Sequence, residues 1–327
     1  MPRRKSRVKK PQPAIRTLQY VVGTTTSYLD MFRDLSAINR KLMRQGHSLV
    51  IEKIEGSFLS QETSPGVSVV DTIVLQASVA GDSWPVHNAH VKGKALWDEM
   101  NQLVLEDNPS VKGKWHDFKV YLDANMRTGS ILAPTYTHGT ISLGEWDYSK
   151  YVMPEHDVDP ATGEPLPADE TFAHLVGDNV GVIGAYDSVG LVKAYGLSRA
   201  TVQDIDPNVP AAFGTSFFNL LTDSGSQEPE LANVIEDAND EPPYDVDAYP
   251  GGAVSAANGV VAEFGVATIG SPLVHLTPFV AQCGLIRLDY IPYKNGIQVD
   301  PLEAPLTITV TVAAGNYKGV AAVPMGQ

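Results

Sequence analysis

A strict period of two in hydrophobicity is the feature that most constrains how this chain folds. Residues Leu306–Val312 read Leu-Thr-Ile-Thr-Val-Thr-Val, with apolar and polar side chains alternating throughout. Such alternation predicts a β-strand with one face in the core and the other in solvent, as in antiparallel sheets. Further β-type runs, bounded by turn residues, occur at 18–22, 49–58, 67–80, 115–123, 141–152, 171–176, 188–194, 260–269, 273–280, 285–291 and 317–323, the last closing a hairpin over Gly315-Asn316.

Two helices are predicted among these strands. The first begins with Ser27 or Thr26 as N-cap and Asp30 in its first turn, and it ends at Gly46. The second covers residues 95–106. About ten strands and two helices, without regular strand–helix alternation, predict an all-β dominated protein. The expected architecture is an antiparallel β-sandwich, a single jelly roll, with two helices and long inserted loops.

Charge is distributed unevenly along the chain. The whole sequence has 24 Lys and Arg against 38 Asp and Glu, but residues 1–10 contain six cations and no acid. The remaining 18 cations and 38 acids leave residues 11–327 with a net charge of −20. Residues 1–13 have too few apolar side chains to fold alone, so they predict a disordered basic arm. Its candidate polyanion-binding residues are Arg3, Arg4, Lys5, Arg7, Lys9 and Lys10.

Two other interpretations of the arm stay open: a nuclear-localisation sequence and a terminus that only improves solubility. A second basic element follows on the first predicted helix, opposite its apolar face, and it comprises Arg33, Arg40, Lys41 and Arg44. The ordinary interpretation of such a face is a solvated surface. Because this helix follows the arm closely, we also consider it a candidate surface for nucleic acid.

The chain divides into the arm at 1–13, a linker strand and amphipathic helix at 14–46, and a jelly-roll domain at 47–327. Two loops in this domain are acidic: 154–170 has four prolines and six acids, and 222–252 has nine acids and no cation. Long loops are uncommon in compact domains unless they have a function. Acidic loops would face away from nucleic acid. A Ca²⁺ site at 157–163 stays open, although its glycine is displaced from the usual position.

Motifs for catalysis are weak. The glycines from Gly177 to Gly184 lack the spacing of a dinucleotide fingerprint. His87 and His90 are three residues apart but have no accompanying metalloprotease glutamate or cysteine pair. The single cysteine, Cys283, lies in an apolar run and predicts a buried structural thiol. We therefore expect no enzymatic activity, no cofactor and no metal, and the absence of a long apolar run predicts no transmembrane helix.

One stretch combines cations with aromatic side chains, from Lys112 to Lys119. Trp115 or Phe118 could stack on unpaired bases. The alternation of the same residues is also what a half-buried strand requires, and both interpretations stay open.

The order of these parts resembles the capsid proteins of small circular single-stranded DNA viruses. The resemblance rests on the Pro2-Arg3-Arg4-Lys5 terminus, the extended linker and the β-rich domain, with short segments at 115–123, 144–149 and 278–286 that look similar. It implies a jelly-roll shell domain, icosahedral self-assembly and an arm that engages the packaged genome, without catalysis. The arm is shorter than in many relatives, so a DNA or an RNA genome stays open.

The resemblance implies three partners: further copies of the chain, a genome that is most simply single-stranded DNA, and host nuclear import machinery. It places the protein in the virion and, in a eukaryotic host, in the nucleus. The alternative function is a carbohydrate-binding or hydrolytic β-sandwich, for which the basic arm has no use. A nucleic-acid-binding regulator would need a basic folded surface, which the net charge of −20 disfavours.

Overall fold

A computed structural model describes residues 13–57, 62–64, 67–68, 70–111, 117–136, 139–152, 170–182, 185–199 and 259–326. Residues 1–12 of the predicted arm lie outside this range, as do both acidic loops except Glu170. Strands predominate over helices in the described residues, as the sequence predicts.

The strands, in chain order, are β1 (Thr17–Val22), β2 (Thr26–Asp30), β3 (His47–Ser57), β4 (Glu62–Ser64), β5 (Val67–Ser68), β6 (Thr72–Val79), β7 (Thr135–Tyr136), β8 (Gly139–Thr140), β9 (Lys150–Val152), β10 (Glu170–His174), β11 (Val180–Val182), β12 (Ala185–Gly190), β13 (Val260–Thr268), β14 (Leu273–Leu276), β15 (Phe279–Gln282), β16 (Leu285–Lys294), β17 (Ile297–Gln298), β18 (Leu306–Val312), β19 (Ala314–Tyr317) and β20 (Ala322–Pro324). The helices are α1 (Met31–Asn39), α2 (Trp84–Asp107), α3 (Ala124–Thr128) and α4 (Leu191–Arg199), with a 3₁₀ turn at Pro109–Val111.

Eight of these strands form a jelly roll. In the first sheet the order is β1-β18-β3-β14, and in the second it is β2-β16-β6-β13, with antiparallel neighbours throughout. Counted along the chain, strands one, three, six and eight lie in the first sheet, and strands two, four, five and seven lie in the second. This double Greek key is the jelly-roll arrangement, so the predicted fold class is confirmed, although the described residues contain four α-helices instead of the two predicted.

The period of two explains the core between the sheets. On β1 the buried residues are Leu18, Tyr20 and Val22, and their register partners Val310, Ile308 and Leu306 on β18 are buried as well. The intervening threonines of β18 point outward. Because successive side chains point to opposite faces, one strictly alternating strand supplies a continuous apolar face. Full burial of such a side chain stabilises the fold by about 1.5–3 kcal/mol.

A second lobe is inserted between β6 and β13. It contains α2, α3, α4 and a small sheet of order β11-β12-β10-β9, in which β10 and β12 are parallel. Its own apolar cluster includes Trp97, Phe118 and Leu175. Tyr28, Cys283 and Leu285 of the jelly roll belong to the same cluster, so the two parts share a packed boundary.

Helix α1 begins three or four residues later than predicted. Residues Thr26–Asp30 pair with β16 as strand β2, so the expected caps Ser27 and Thr26 lie in a sheet. Asp30 is the actual N-cap, and its Oδ1 accepts a hydrogen bond from the backbone N–H of Arg33 at 3.0 Å. The helix ends at Asn39 because Arg40 adopts a left-handed conformation with φ of 52°. Pairing with a distant strand overrides the local capping signal.

The division at residue 46 also needs correction. Residues 14–46 are not a linker: β1 lies between β18 and β7, and β2 forms an edge of the second sheet. Leu18, Phe32 and Leu35 lie in the core of the jelly roll.

Four other predictions were wrong in their extent or position. Helix α2 starts at Trp84 rather than at 95, with Pro85 in its first turn. Residues 188–194 divide between β12 and α4. The run 273–280 divides into β14 and β15 around Thr277-Pro278, where proline lacks the N–H that a sheet requires. The last hairpin turns at Lys318-Gly319, not at Gly315-Asn316.

The predicted strand 115–123 is not a strand in its described part. Residues 117–120 form no ladder, and only Tyr121 makes an isolated bridge, to His174. Lys119 and Asp123, expected on a solvated face, are buried together with Phe118 and Val120. The side chain of Gln45 satisfies the hydrogen-bonding groups of this irregular backbone. Its Oε1 accepts a hydrogen bond from Val120 N–H at 2.6 Å, and its Nε2 donates one to Val120 C=O at 3.1 Å.

Asp30 joins the jelly roll to the inserted lobe. Its carboxylate is fully buried, and Oδ2 accepts hydrogen bonds from Trp146 Nε1 and Tyr148 Oη, both at 3.0 Å, and from Gln45 Nε2 at 3.3 Å. Burial raises the pKa of Asp30, and the charge and backbone N–H of Arg33 oppose that rise. Several hydrogen bonds donated to a buried carboxylate stabilise its charged form and fix its position.

Replacing Asp30 with Ala removes the helix cap and leaves three side-chain donors of other segments without their acceptor. We expect a loss of about 3 kcal/mol or more in the free energy of unfolding, measured by urea denaturation. The matched control is Asp123→Ala, which removes the N-cap of the short helix α3 and a bond from Tyr28. That control should cost about 1–2 kcal/mol. Equal losses in the two variants would contradict a linking role for Asp30.

Acid sensitivity is expected from His90. The ring is buried in α2, and neither nitrogen has a hydrogen-bond partner among the described residues. Burial, reinforced by the nearby charge of Lys94, lowers the pKa of His90 to about 4. The unfolded chain, with a pKa of about 6.5, therefore binds more protons below that pH. The contribution of neutral His90 to the free energy of unfolding is therefore fully present above about pH 6.5 and is lost as the pH falls toward 4.

Between about pH 7 and pH 5, we expect His90 to lower the free energy of unfolding of the native chain by about 2 kcal/mol. The His90→Leu variant lacks this titratable group, so its free energy of unfolding should fall by about 2 kcal/mol less over the same range. Unfolding curves at several pH values would measure the difference. His275→Gln, at an exposed position, serves as control and should change the pH profile much less, since it removes only a surface ion pair with Glu55. A His90→Leu profile parallel to the native one would refute the assignment.

Candidate nucleic-acid interface

The predicted arm joins the folded body at the end of α1. Asn39 holds residue 15 there: its Oδ1 accepts from Ile15 N–H at 2.8 Å, and its Nδ2 donates to Ile15 C=O at 2.9 Å. Lys41 Nζ donates to the carbonyl of Pro13 at 3.1 Å. These contacts determine where residues 1–12 are attached, next to the cations that follow α1.

Four cations lie at or just beyond the C-terminal end of α1, and we call them the basic corner: Arg40, Lys41, Arg44 and Lys318. Arg40 is exposed in its left-handed C-cap position, where a cation also complements the helix dipole. Lys318 Nζ donates to the carbonyl of Leu42, and the phenol oxygen of Tyr317 accepts from the backbone N–H of Arg44 at 2.8 Å. The terminal hairpin thus brings its lysine to the end of α1.

The electrostatics of Lys318 are consistent with Arg44 and Lys41 lying near it. The pKa of Lys318 is lowered first by burial and then by the charge of Arg44, with a further contribution from Lys41. The carboxylate of Asp117 opposes this shift. Asp117 Oδ1 also forms an ion pair with Arg44 Nη1 at 3.4 Å. A group of mutually repelling cations at the surface is a favourable place for a polyanion.

Arg33 does not belong to this surface, which corrects the prediction for the first helix. It is 8 % exposed, its Nε donates to Asp34 Oδ1 at 2.9 Å, and its Nη2 donates to the carbonyl of Leu132. Its partner Asp34 also accepts a hydrogen bond from Tyr20 at 2.8 Å. Burial raises the pKa of Asp34, opposed by Arg33. Arg33 therefore satisfies a buried acid instead of facing solvent.

The remaining predicted residues divide into two groups. The six cations of the arm and Trp115 lie outside the described residues. Phe118 is 1 % exposed and packs between His90 and Trp97, with ring centroids 5.5 and 5.8 Å away, so it offers no face for a base. The structure thus brings Lys41 and Arg44 close to Lys318 and leaves Arg40 exposed at the helix C-cap, whereas Arg33 lines a cavity with Arg40 but is itself buried.

Sequence reasoning missed Lys318. It lies 274 positions beyond Arg44 and had no local motif around it, only the turn glycine that follows. The hairpin that carries it folds back because Ala322–Pro324 pair with His47–Leu49 of β3. Nothing in the local sequence indicates that pairing.

The metal and thiol predictions concern other parts of the structure. His87 accepts from Gly326 N–H through Nδ1 and contacts Asp82 through Nε2 at 2.8 Å, whereas His90 is buried and its ring nitrogens have no hydrogen-bond partner in the described residues. No group of three or more His, Cys, Asp or Glu suited to a metal occurs among the described residues. Cys283 is buried without a disulfide, as predicted, and burial raises the pKa of its thiol.

The helices within the described ranges include none that is long and apolar enough to cross a membrane. Comparisons with protein-family models, with curated proteins and with solved structures found no match to this chain.

We expect the basic corner to contribute to nucleic-acid binding by the full-length chain. The double variant Arg40→Gln/Lys41→Gln should reduce the slope of log Kd against log salt by about 2, because each lost phosphate contact lowers the number of released counterions by about one. Fluorescence anisotropy with a single-stranded oligonucleotide at several salt concentrations would measure the slope. Lys92→Gln/Lys94→Gln on α2 is the matched control. Equal effects of the two pairs would show that only net charge matters.

Proposed function

We propose that this chain is the subunit of a viral capsid, which assembles into an icosahedral shell and packages a nucleic-acid genome through its basic arm. The observation that carries the proposal is the combination of a single jelly roll with a cationic arm attached at the basic corner. The genome is most simply single-stranded DNA, and the arm would also serve nuclear import in a eukaryotic host.

The fold supports the proposal without deciding it. Jelly rolls occur in capsid proteins, and also in lectins and cupins. The arm favours a capsid protein over a lectin or a cupin, because residues 1–10 hold six cations in a chain whose remainder is strongly acidic. A glycan-binding or enzymatic jelly roll has no evident need for such a terminus, whereas a shell needs its cations where the genome lies.

The basic corner supplements the arm. Six cations per subunit neutralise about six phosphates, which is few for a packaged genome. Arg40, Lys41, Arg44 and Lys318 add four cations at the point where the arm begins. This arrangement supports a continuous cationic path from the arm onto the folded body.

Self-assembly is supported by an apolar area on the outer face of the second sheet. Val266, Val74 and Ile291 form one row across β13, β6 and β16. Phe264 and Val266 are 64 % and 50 % exposed. Clustered apolar side chains on a soluble surface mark protein contacts more often than isolated ones do. In a shell, this face would contact a neighbouring subunit.

The purified chain is expected to form closed particles, and deletion of residues 1–10 should leave particles that are intact but empty. The shell contacts come from the folded domain, whereas the deleted residues carry the cations that retain the genome. Negative-stain microscopy would show the particles, and the ratio of absorbance at 260 and 280 nm would report their nucleic acid.

The control is a chain in which the six arm cations are replaced by Gln at unchanged length, which should also give empty particles. A monodisperse monomer under all assembly conditions would contradict the proposal. Full packaging by both arm variants would show that the arm is not what retains the genome.

A further inference from the structure

A groove of about 950 Å³ opens between the second half of α2 and the segment 145–150. Aromatic rings form much of its wall, contributed by Trp97, Tyr121, Trp146, Tyr148 and Phe172. Tyr121 stacks on Tyr148 with ring centroids 3.9 Å apart, and Phe172 meets Tyr121 edge-on at 5.8 Å. The volume is in the range of sites that hold small molecules.

Asp117 gives this groove an unsatisfied polar group. The residue lines the groove and is 7 % exposed. Its Oδ1 pairs with Arg44, but its Oδ2 is buried and receives no hydrogen bond from any residue in the described ranges. A buried carboxylate oxygen without a donor is unfavourable, and such exceptions call for a specific explanation. A bound ligand that donates a hydrogen bond from an O–H or N–H group to Oδ2 would explain this unsatisfied oxygen.

The charges of the groove restrict that ligand. Its lining contains three carboxylates, Asp117, Glu145 and Asp147, and two ammonium groups, Lys119 and Lys150. The carboxylates repel a polyanion such as nucleic acid. The ammonium groups already lie over the rings, Lys119 over Trp146 at 5.0 Å and Lys150 over Phe172 at 5.3 Å, where a cationic ligand would otherwise bind.

A neutral molecule with several hydroxyl groups and an apolar face meets all these conditions. We propose that this groove binds a neutral saccharide. One sugar hydroxyl donates to Asp117 Oδ2, and Lys119 and Lys150 donate to other sugar oxygens. The apolar face of the sugar ring packs against the aromatic wall. This site is separate from the arm and does not depend on assembly or packaging.

Saturation-transfer NMR with the full-length chain tests the proposal. The probes are lactose, maltotriose, cellotriose and N,N′-diacetylchitobiose, each at about 10 mM, where a millimolar Kd is detectable. At least one is expected to bind. Asp117→Asn should weaken that binding about fivefold, because a charge-assisted hydrogen bond is replaced by a neutral one. Asp107→Asn, at the exposed end of α2 outside the groove, is the matched control and should not change it.

Phe172→Leu is the second variant, because Asp117 also pairs with Arg44 and its replacement could disturb the basic corner. It should weaken sugar binding while the thermal unfolding of the chain stays cooperative. Absence of binding by all four sugars overturns the proposal, as does binding that neither variant weakens. A ten-nucleotide oligothymidylate is tested in parallel. If it binds in a Phe172-dependent manner and no sugar binds, the groove is a nucleic-acid site instead.

Discussion

The buried carboxylate of Asp30 is the interaction on which the arrangement of this protein depends. It ends strand β2, caps helix α1, and accepts hydrogen bonds from Gln45, Trp146 and Tyr148. Taking a charge out of water is costly unless several donors compensate it. The donors come from segments far apart in sequence, so the carboxylate is satisfied only when the jelly roll and the inserted lobe are both in place.

The same boundary creates both candidate sites. Gln45, which donates to Asp30, also holds the irregular backbone at Val120, and the neighbouring Asp117 contacts Arg44. On one side of Asp117 lies the basic corner, and on the other lies the aromatic groove. One acid therefore moderates the repulsion among cations through Oδ1 and also lines the groove, while its buried Oδ2 has no hydrogen-bond donor among the described residues. The two sites share this residue but differ in the ligands that their charges favour.

Acidity over most of the chain is compatible with binding a polyanion because charge is concentrated locally. The arm has no acid, and the basic corner gathers cations from the end of α1 and from the terminal hairpin. Electrostatic attraction to nucleic acid is governed by such local groups more than by the total charge, since screening limits its range to about 10 Å. Arg33, in contrast, is a buried cation whose charge compensates the buried carboxylate of Asp34.

The sequence by itself determined the fold class, most strand positions and the charged arm, because these depend on local periodicity and composition. The alternation of Leu306–Val312 matches β18 residue for residue, and the buried thiol of Cys283 was also predicted. Only the tertiary structure decided that Thr26–Asp30 is a strand, that Arg33, Phe118 and Lys119 are buried, and that Lys318 joins α1. Each of these depends on a partner dozens to hundreds of residues away, and no local pattern specifies which distant segment will supply the hydrogen bonds or cover the side chain.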